Sequence, residues 1–530
     1  MAELSFADVW ERIADAFPDA QALVHGDRRL TWREFDARAD GLAAALLELG
    51  VERQDKVAQY LYNCPEYLES VFAATKASLV PVNTNYRYTD DELAYLWDNA
   101  DAVAVVFHGT FSETIERVRS RVPRVRAWFW VDDGSGPCPD WAVPYEEAAG
   151  RTVGRVSPSW GRGGHDIYML YTGGTTGMPK GVMWRQGDLI DVYARSGGDP
   201  SATWQMPQAP GPVGLPACPL MHGTGSFVSF IVLNAAGSIV TLTTRRYDPV
   251  ELLDTIEREK VNVIAIVGDA FAKPMLRELD ANPGRWNLSS LLAMVSSGVM
   301  WSTETKQGLL RHHAGMILQD AFSSSEALGM GQSVSTGSTV STTAKFVLGE
   351  NSRVITEDGR DVVPGSGEVG LLAVKGVTPV GYYKDPEKSA RTFRVIDGER
   401  YSIPGDYATV ESDGTLTVLG RGSVCINTGG EKVFPEEVEE VLKRHAAVRD
   451  AAVVGVPDPK WGEAITALVQ LEEGAEASEE EMIKHVKGGL AAYKAPKRVL
   501  FVDTLERSPA GKLDYPGLRE KAVAEVGAVS

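Results

Sequence analysis

Tyr171-Thr172-Gly173-Gly174-Thr175-Thr176-Gly177-Met178-Pro179-Lys180-Gly181 is the stretch on which the rest of the sequence turns. It follows Tyr168-Met169-Leu170, which reads as the end of a buried strand. From Thr172 to Gly181 stand four glycines, three threonines and one lysine. Glycines let backbone N–H groups approach anionic oxygens closely, hydroxyls add donors, and a lysine neutralises charge, so the stretch suits a polyphosphate. It is not a P-loop of the form G-x-x-x-x-G-K-[ST]. Pro179 precedes Lys180 where glycine is needed, and Gly181 follows it where a magnesium-binding hydroxyl is needed. Taken alone, a Gly/Thr surface turn competes with a phosphate cradle.

Around this loop the chain alternates helix and strand. Phe35–Leu49 has helical spacing and stops at Gly50, a helix-terminating residue. Val57–Tyr62 and Ala102–Phe107 read as short buried strands, with a helix over Tyr67–Lys76 between them. Val261–Val267 and Leu291–Ser296 continue the rhythm, which argues for an α/β fold with largely parallel sheets. After residue 350, turn signals such as Glu357-Asp358-Gly359, Pro364-Gly365 and Ser412-Asp413-Gly414 predict β-rich hairpins. Beyond Arg421, Pro435–Arg444, Ala451–Val456, Ile465–Leu471, Glu479–Leu490 and Val499–Val502 predict a compact α+β unit. The expected architecture is therefore a large N-terminal domain, residues 1–422, of parallel-type sheets with helices plus a β-rich subdomain. A small α+β C-terminal domain, residues 423–530, follows it.

The 530 residues exceed what one core usually supports, and 44% hydrophobic with 24% charged residues is ordinary for a globular enzyme. A formal charge of −19 disfavours nucleic acid as a partner, since that binding rests on neutralising phosphates. Cys64, Cys138, Cys218 and Cys425 are far apart, with no metal-ligand spacing, which suits free thiols in a reducing compartment. With no basic, apolar leader and no run of roughly 18 apolar residues, the expectation is a cytoplasmic protein without integral membrane association. A homodimer stays open, because nothing in the sequence bears on oligomeric state.

The loop resembles the phosphate-loop signature of the adenylate-forming superfamily, which includes acyl-CoA synthetases, adenylation domains and firefly luciferase; Gly173 stands where that family usually has serine. Further segments match in order. Pro219-Leu220-Met221-His222-Gly223-Thr224-Gly225 resembles the segment that gates the acid pocket, with His222 as gate and glycines leaving volume for an acyl group. Ser296-Ser297-Gly298-Val299-Met300 occupies the place of the wall between adenine and acyl pocket. Asp320-Ala321-Phe322-Ser323-Ser324-Ser325-Glu326 is a degenerate form of Gly-Tyr-Gly-x-Thr-Glu. The resemblance implies that Phe322 stacks on adenine beside Asp320 and Ala321, Ser325 meets the α-phosphate, and Glu326 holds Mg²⁺. Without the other motifs this segment would read as a helix start with serine caps. Gly376–Tyr383 matches a motif to which no chemistry is assigned.

Tyr401-Ser402-Ile403-Pro404-Gly405-Asp406 and Gly420-Arg421 resemble the ribose-binding aspartate and the ribose–phosphate arginine. Arg507-Ser508-Pro509-Ala510-Gly511-Lys512-Leu513 resembles the superfamily's last motif, which makes Lys512 the adenylation lysine. The implied nucleotide set is thus Thr172, Gly173, Gly174, Thr175, Thr176, Gly177, Lys180, Asp320, Ala321, Phe322, Ser325, Asp406, Arg421 and Lys512. Lys512, Glu326, His222 and Lys180 form the catalytic group, and Met221, His222, Thr224, Gly225, Ser297, Gly298 and Val299 the acid pocket. A hinge at Ser423 would let the small domain swing. Gly429 and Gly430 would then line a pantetheine tunnel, with Trp461 and Lys494 holding CoA. The expected reaction joins a hydrophobic carboxylic acid to CoA through an acyl-adenylate, using ATP and Mg²⁺. An aromatic acid is the alternative substrate, and a non-catalytic nucleotide-binding member of the fold the alternative class.

Overall fold

A computed structural model describes residues 3–174, 177–195, 199, 201–299, 301–428, 431–459, 461–509 and 511–529. Three sheets organise these residues. The largest begins as a parallel array. Strands Ala293–Ser296 and Ile317–Ser324 run parallel to Val263–Ile266, Val213–Pro216 and Ser238–Thr241. From Ala327–Ser335 onward the pairing turns antiparallel, through to the hairpin Phe393–Ile396/Glu399–Ser402. The second sheet carries Lys56–Tyr60, Val80–Asn83, Ala102–His108 and Ala127–Val131 in parallel, with Ile167–Gly174 beside Val80–Asn83. The third, smaller sheet contains only strands from Ile426 onward.

The α/β rhythm is therefore present, with ends shifted by a few residues. The helix expected at Phe35–Leu49 spans Trp32–Glu48, started by Thr31, whose hydroxyl accepts from Glu34 N while Glu34 caps Thr31 N in return. Gly50, at φ +69°, ends the turn where a side chain would be strained. The parallel strands are hydrophobic almost throughout; Ala102–His108 is buried at every position, because helices cover both faces. The hairpins expected after residue 350 are present as antiparallel pairs, among them Asp406–Val410 with Thr415–Arg421.

Two motif segments are hairpins. Asp320–Glu326, which taken alone would read as a helix start, is the tip of one, Ile317–Ser324 against Ala327–Ser335. The alternation buries Leu318 and Asp320 on one face, and Asp320 is held there by Lys306 at 3.2 Å, a wholly buried lysine. The loop from Tyr171 is likewise a hairpin, strands Ile167–Gly174 and Gly177–Arg185. Thr175 and Thr176 lie outside the described residues, as do Gly429 and Gly430.

Candidate active site

In open α/β sheets ligands bind beyond the carboxyl ends of the strands, where loops converge. Here one cavity of about 1640 Å³ occupies that position. Val267 follows strand Val263–Ile266, Ser297 and Gly298 follow Ala293–Ser296, and Phe322–Ser325 end Ile317–Ser324; all border it. Asn83 ties two of the loops together. Its amide donates to the carbonyls of Tyr171 (2.9 Å) and Met221 (2.7 Å) and accepts from Tyr171 N (2.6 Å). A buried amide so fully used holds the glycine-rich hairpin beside the His222 loop.

The charged groups of the cavity come from distant parts of the chain. Thr172 and Lys180 border it from the hairpin, and Lys180 pairs with Asp385 at the start of helix Pro386–Thr392. Glu326 is buried at the tip of the second hairpin, and its Oε1 accepts from the Tyr382 hydroxyl at 2.9 Å. Asp406 and Arg421 are register partners across their hairpin, with Nε to Oδ1 at 3.3 Å. That places side chains fifteen positions apart in sequence on one face. Burial raises the Asp406 carboxyl despite Arg421, while Asp406 beside it raises the Arg421 guanidinium.

Lys512 enters from the C-terminal domain. A side-chain carbon at Gly298, which adopts φ +94°, would stand 4.0 Å from Lys512 Cε. Its loop is pinned by Ser508, whose N donates to Lys512 O (2.8 Å) and whose Oγ accepts from Lys512 N (3.0 Å). Arg507 is anchored on Asp450 at 2.6 and 2.8 Å, and Arg87 of the N-terminal domain donates to Arg507 O at 3.2 Å. Lys512 is exposed on the side of the open cavity. Desolvation, with Arg421 nearby, lowers its pKa, and Glu326 and Asp406 work against the shift.

A buried polar atom without a protein partner is a place where a ligand or water can hydrogen-bond. Among the described residues, four such atoms belong to side chains that border this cavity: His222 Nε2, Ser324 Oγ, Asp406 Oδ2 and Glu436 Oε2. Asp406 has one oxygen on Arg421 and one free, which suits a ribose hydroxyl. His222, pushed down to about 3 by burial and then by Lys512, is neutral and can offer or accept one hydrogen bond. Glu326 fits Mg²⁺, which takes one or two carboxylates together with substrate phosphates and water. Among the described residues no group of three His, Cys, Asp or Glu is arranged to hold a metal ion, so the phosphates would have to complete the shell.

Of the expected residues, Thr172, Lys180, Met221, His222, Thr224, Ser297, Gly298, Val299, Asp320, Ala321, Phe322, Ser325, Glu326, Asp406, Arg421 and Lys512 border this cavity. Gly225 does not. A Cβ there would collide with the Pro219 carbonyl oxygen, so glycine serves close chain packing and leaves no acyl volume. Asp320 commits its carboxylate to Lys306, and burial pushes it up to about 6. In this arrangement Lys494 pairs with Glu437 and Trp461 lies under Lys497, and neither borders the cavity. Sequence reasoning passed over Tyr382, Asp385 and Ser324. Tyr382 sits in Gly376–Tyr383, and the signal was there without a role to attach to it.

Known proteins place this geometry. The family described as AMP-binding enzyme matches residues 10–383, and the AMP-binding enzyme C-terminal domain matches residues 437–512. A 3-oxocholest-4-en-26-oate–CoA ligase of Rhodococcus rhodochrous is 41% identical over 536 residues, covering 97% of this chain and 95% of that one. A medium/long-chain-fatty-acid–CoA/3-oxocholest-4-en-26-oate–CoA ligase of Mycolicibacterium smegmatis is 40% identical over 534 residues, covering 97% and 95%. Among solved structures, ATP-bound MatB from Rhodopseudomonas palustris aligns with a TM-score of 0.80 at 26% identity, over 99% of both chains. An anthranilate CoA ligase bound to anthranoyl-AMP shares the fold, with a TM-score of 0.85 at 22% identity over 99% of both chains. The chain belongs to the AMP-binding enzyme family, and it is an ATP-dependent acid–thiol ligase of the adenylate-forming superfamily.

Proposed function

We propose that this ligase activates a long or bulky hydrophobic acid, of the fatty-acid or sterol side-chain class, and transfers it to CoA. The observation that carries this reading is the apolar arm of the cavity. It runs along helix Gly223–Asn234, past Phe227, Val228, Ile231 and Val232, to Ala235 and Pro212. Twelve helical residues extend about 18 Å at 1.5 Å each. An aromatic acid would fill only the first turn of such an arm. The names of the Rhodococcus and Mycolicibacterium relatives agree with a long acid.

In the first half-reaction the acid's carboxylate attacks the α-phosphorus of ATP and pyrophosphate leaves. Catalysis of such a transfer is positioning and charge stabilisation. Lys512 lies at the mouth of the acid arm, where it would hold the attacking carboxylate against the α-phosphate. Lys180, released from Asp385, would meet the leaving phosphates, and Thr172 and Ser325 would add hydroxyl donors. Asp406 and Arg421 would grip the ribose, and Phe322, which packs on Phe346 at 5.3 Å, would flank the adenine. Held by Glu326, Mg²⁺ would supply charge neutralisation on the phosphates. His222, neutral, would orient the acid at the entrance of the arm.

For the second half, a CoA thiol attacks the mixed anhydride and AMP leaves. Lys494 and Trp461 would reach CoA only after residues 423–530 turn relative to residues 1–422 about Ser423. The split of the sheets at Arg421 and Ile426 supports that boundary. The four free cysteines support a reducing, cytoplasmic setting. No helix among the described residues is long and apolar enough to cross a membrane. Sedimentation of the purified enzyme tests the homodimer. The deciding experiment for the substrate is a panel of fatty, sterol side-chain and aromatic acids, scored by CoA-dependent AMP formation. Preference for benzoate-type acids would sink the reading.

A further inference from the structure

The apolar arm ends on a cation. Arg195, the last residue of helix Gln186–Arg195, borders the same cavity as Ile231, Val232 and Ala235. Its position at the far end follows from two hydrogen bonds. Arg195 Nε donates to Ala202 O at 3.4 Å, and two residues on, Trp204 Nε1 donates to Asn234 O at 2.9 Å. Asn234 closes the helix whose other end carries His222 and Gly223. The guanidinium thus lies about three turns, roughly 18 Å, from the end of the arm where Lys512 stands. Among the described residues, the hydrogen bond of its Nε to Ala202 O is the contact this side chain makes, and no carboxylate forms an ion pair with it. A cation in the last turn of a helix gains something from the helix dipole, but that alone does not require it to border an apolar slot.

We propose that Arg195 is a specificity residue that donates hydrogen bonds to an acceptor oxygen at the far end of the acid. The assignment rests on the long-acid reading and adds a polar anchor to it. An acid that fills the arm with carbon and carries a ring ketone, or a second oxygen group, at its distal end satisfies both ends at once. A plain hydrocarbon end leaves the guanidinium facing carbon in a partly dry site, which costs binding. The planar fork of arginine gives directional donors that a lysine would supply only as a point charge.

The test compares three acids of matched length with the full-length enzyme: a sterol side-chain acid with a distal ring ketone, the same acid with that carbon reduced to methylene, and an α,ω-dicarboxylic acid. Wild type should favour the ketone over the methylene acid. Arg195→Met should lower kcat/KM for the ketone acid about tenfold, mainly through KM, and raise rather than lower it for the methylene acid. Arg195→Lys should restore part of the loss. A preference for the dicarboxylic acid that Arg195→Met removes supports the same anchor with a carboxylate as acceptor. An equal fall for ketone and methylene acids means a structural role and overturns the assignment. So does a wild type indifferent to the ketone, which leaves the long-acid reading standing. A wild type that activates none of the long acids overturns that reading and this one together.

Discussion

At Lys512 a single side chain joins two domains' worth of chemistry. Its ammonium stands over Gly298 and within the field of Glu326, Asp406 and Arg421. Removing it should leave ATP binding and abolish the charge that holds the carboxylate. Lys512→Ala is expected to lower acid-dependent pyrophosphate release at least about a hundredfold; normal release would remove Lys512 from the mechanism. Tyr382 acts one step back, through its hydrogen bond to Glu326. Tyr382→Phe should cost roughly tenfold in kcat and raise the Mg²⁺ concentration needed for half-maximal rate, a change that a merely structural role would not produce. His222 behaves oppositely to a titrating base. With its pKa near 3 in the fold and an ordinary value near 6.5 in the unfolded chain, burial favours the neutral ring. Its contribution is complete above about pH 6.5 and is lost as pH falls toward 3. His222→Asn should therefore flatten the acid limb of the stability–pH curve, measured by thermal melts between pH 4 and 7.

Helix Pro435–Lys443 supplies the contact between the domains that is most sensitive to protonation. Glu436 packs against Gly420 at the edge of the N-terminal domain, where any side chain on Gly420 would collide with it. Around it stand Glu439, Asp406 and the Arg421 backbone, with Lys443, Arg507 and Tyr515 beyond Glu439. Burial, and then Glu439, push the Glu436 carboxyl up to about 8. Docking of the small domain against Gly420 is therefore expected to take up a proton at Glu436. The docked arrangement is favoured at low pH and loses that support as pH rises from about 5 through about 8. Glu436→Gln should make docking independent of pH in that range; small-angle scattering or a distance probe across the domains reads it, and an unchanged slope would dismiss the idea. In helix Gly223–Asn234 the constraint is steric. Gly225→Ala should lower the melting temperature, by an amount equivalent to about 1–3 kcal/mol, because its methyl meets the Pro219 carbonyl oxygen.

Across the whole molecule, this arrangement presents Lys512 to the cavity while Lys494 and Trp461 face away from it. With the proposed hinge at Ser423, the two half-reactions would use two placements of residues 423–530. Ser423→Pro restricts the backbone at the hinge to φ near −65°. It should preserve pyrophosphate release and depress CoA-dependent AMP release, with the halves assayed separately; equal loss of both would argue against a hinge there.

Much of this was legible in the chain. Phe35–Leu49 announced a helix through spacing and Gly50, and Ala102–Phe107 a buried strand through unbroken hydrophobicity. Such features depend on near neighbours, and local physics suffices for them. Asp406 and Arg421 were recognisable through their resemblance to the superfamily's ribose-contacting motifs, and the structure sets them in register across one hairpin. The hairpin at Asp320 was not legible, since its buried aspartate is explained by Lys306, a residue on the preceding helix. Gly225 looked like free space and is close packing. Tyr382 stood in a motif without a role, and Asp385 was passed over, because their partners Glu326 and Lys180 lie 56 and 205 positions away. By itself, then, the sequence determined the α/β plan through its periodicity, and the reaction class through the resemblance of the Thr172–Gly181, Asp406, Arg421 and Lys512 segments to the adenylate-forming superfamily. Only the tertiary structure decided which buried polar atoms are left unpaired around one cavity, how far its apolar arm runs, and that Arg195 closes it. Those are sums over side chains distant in sequence, and only packing brings them together.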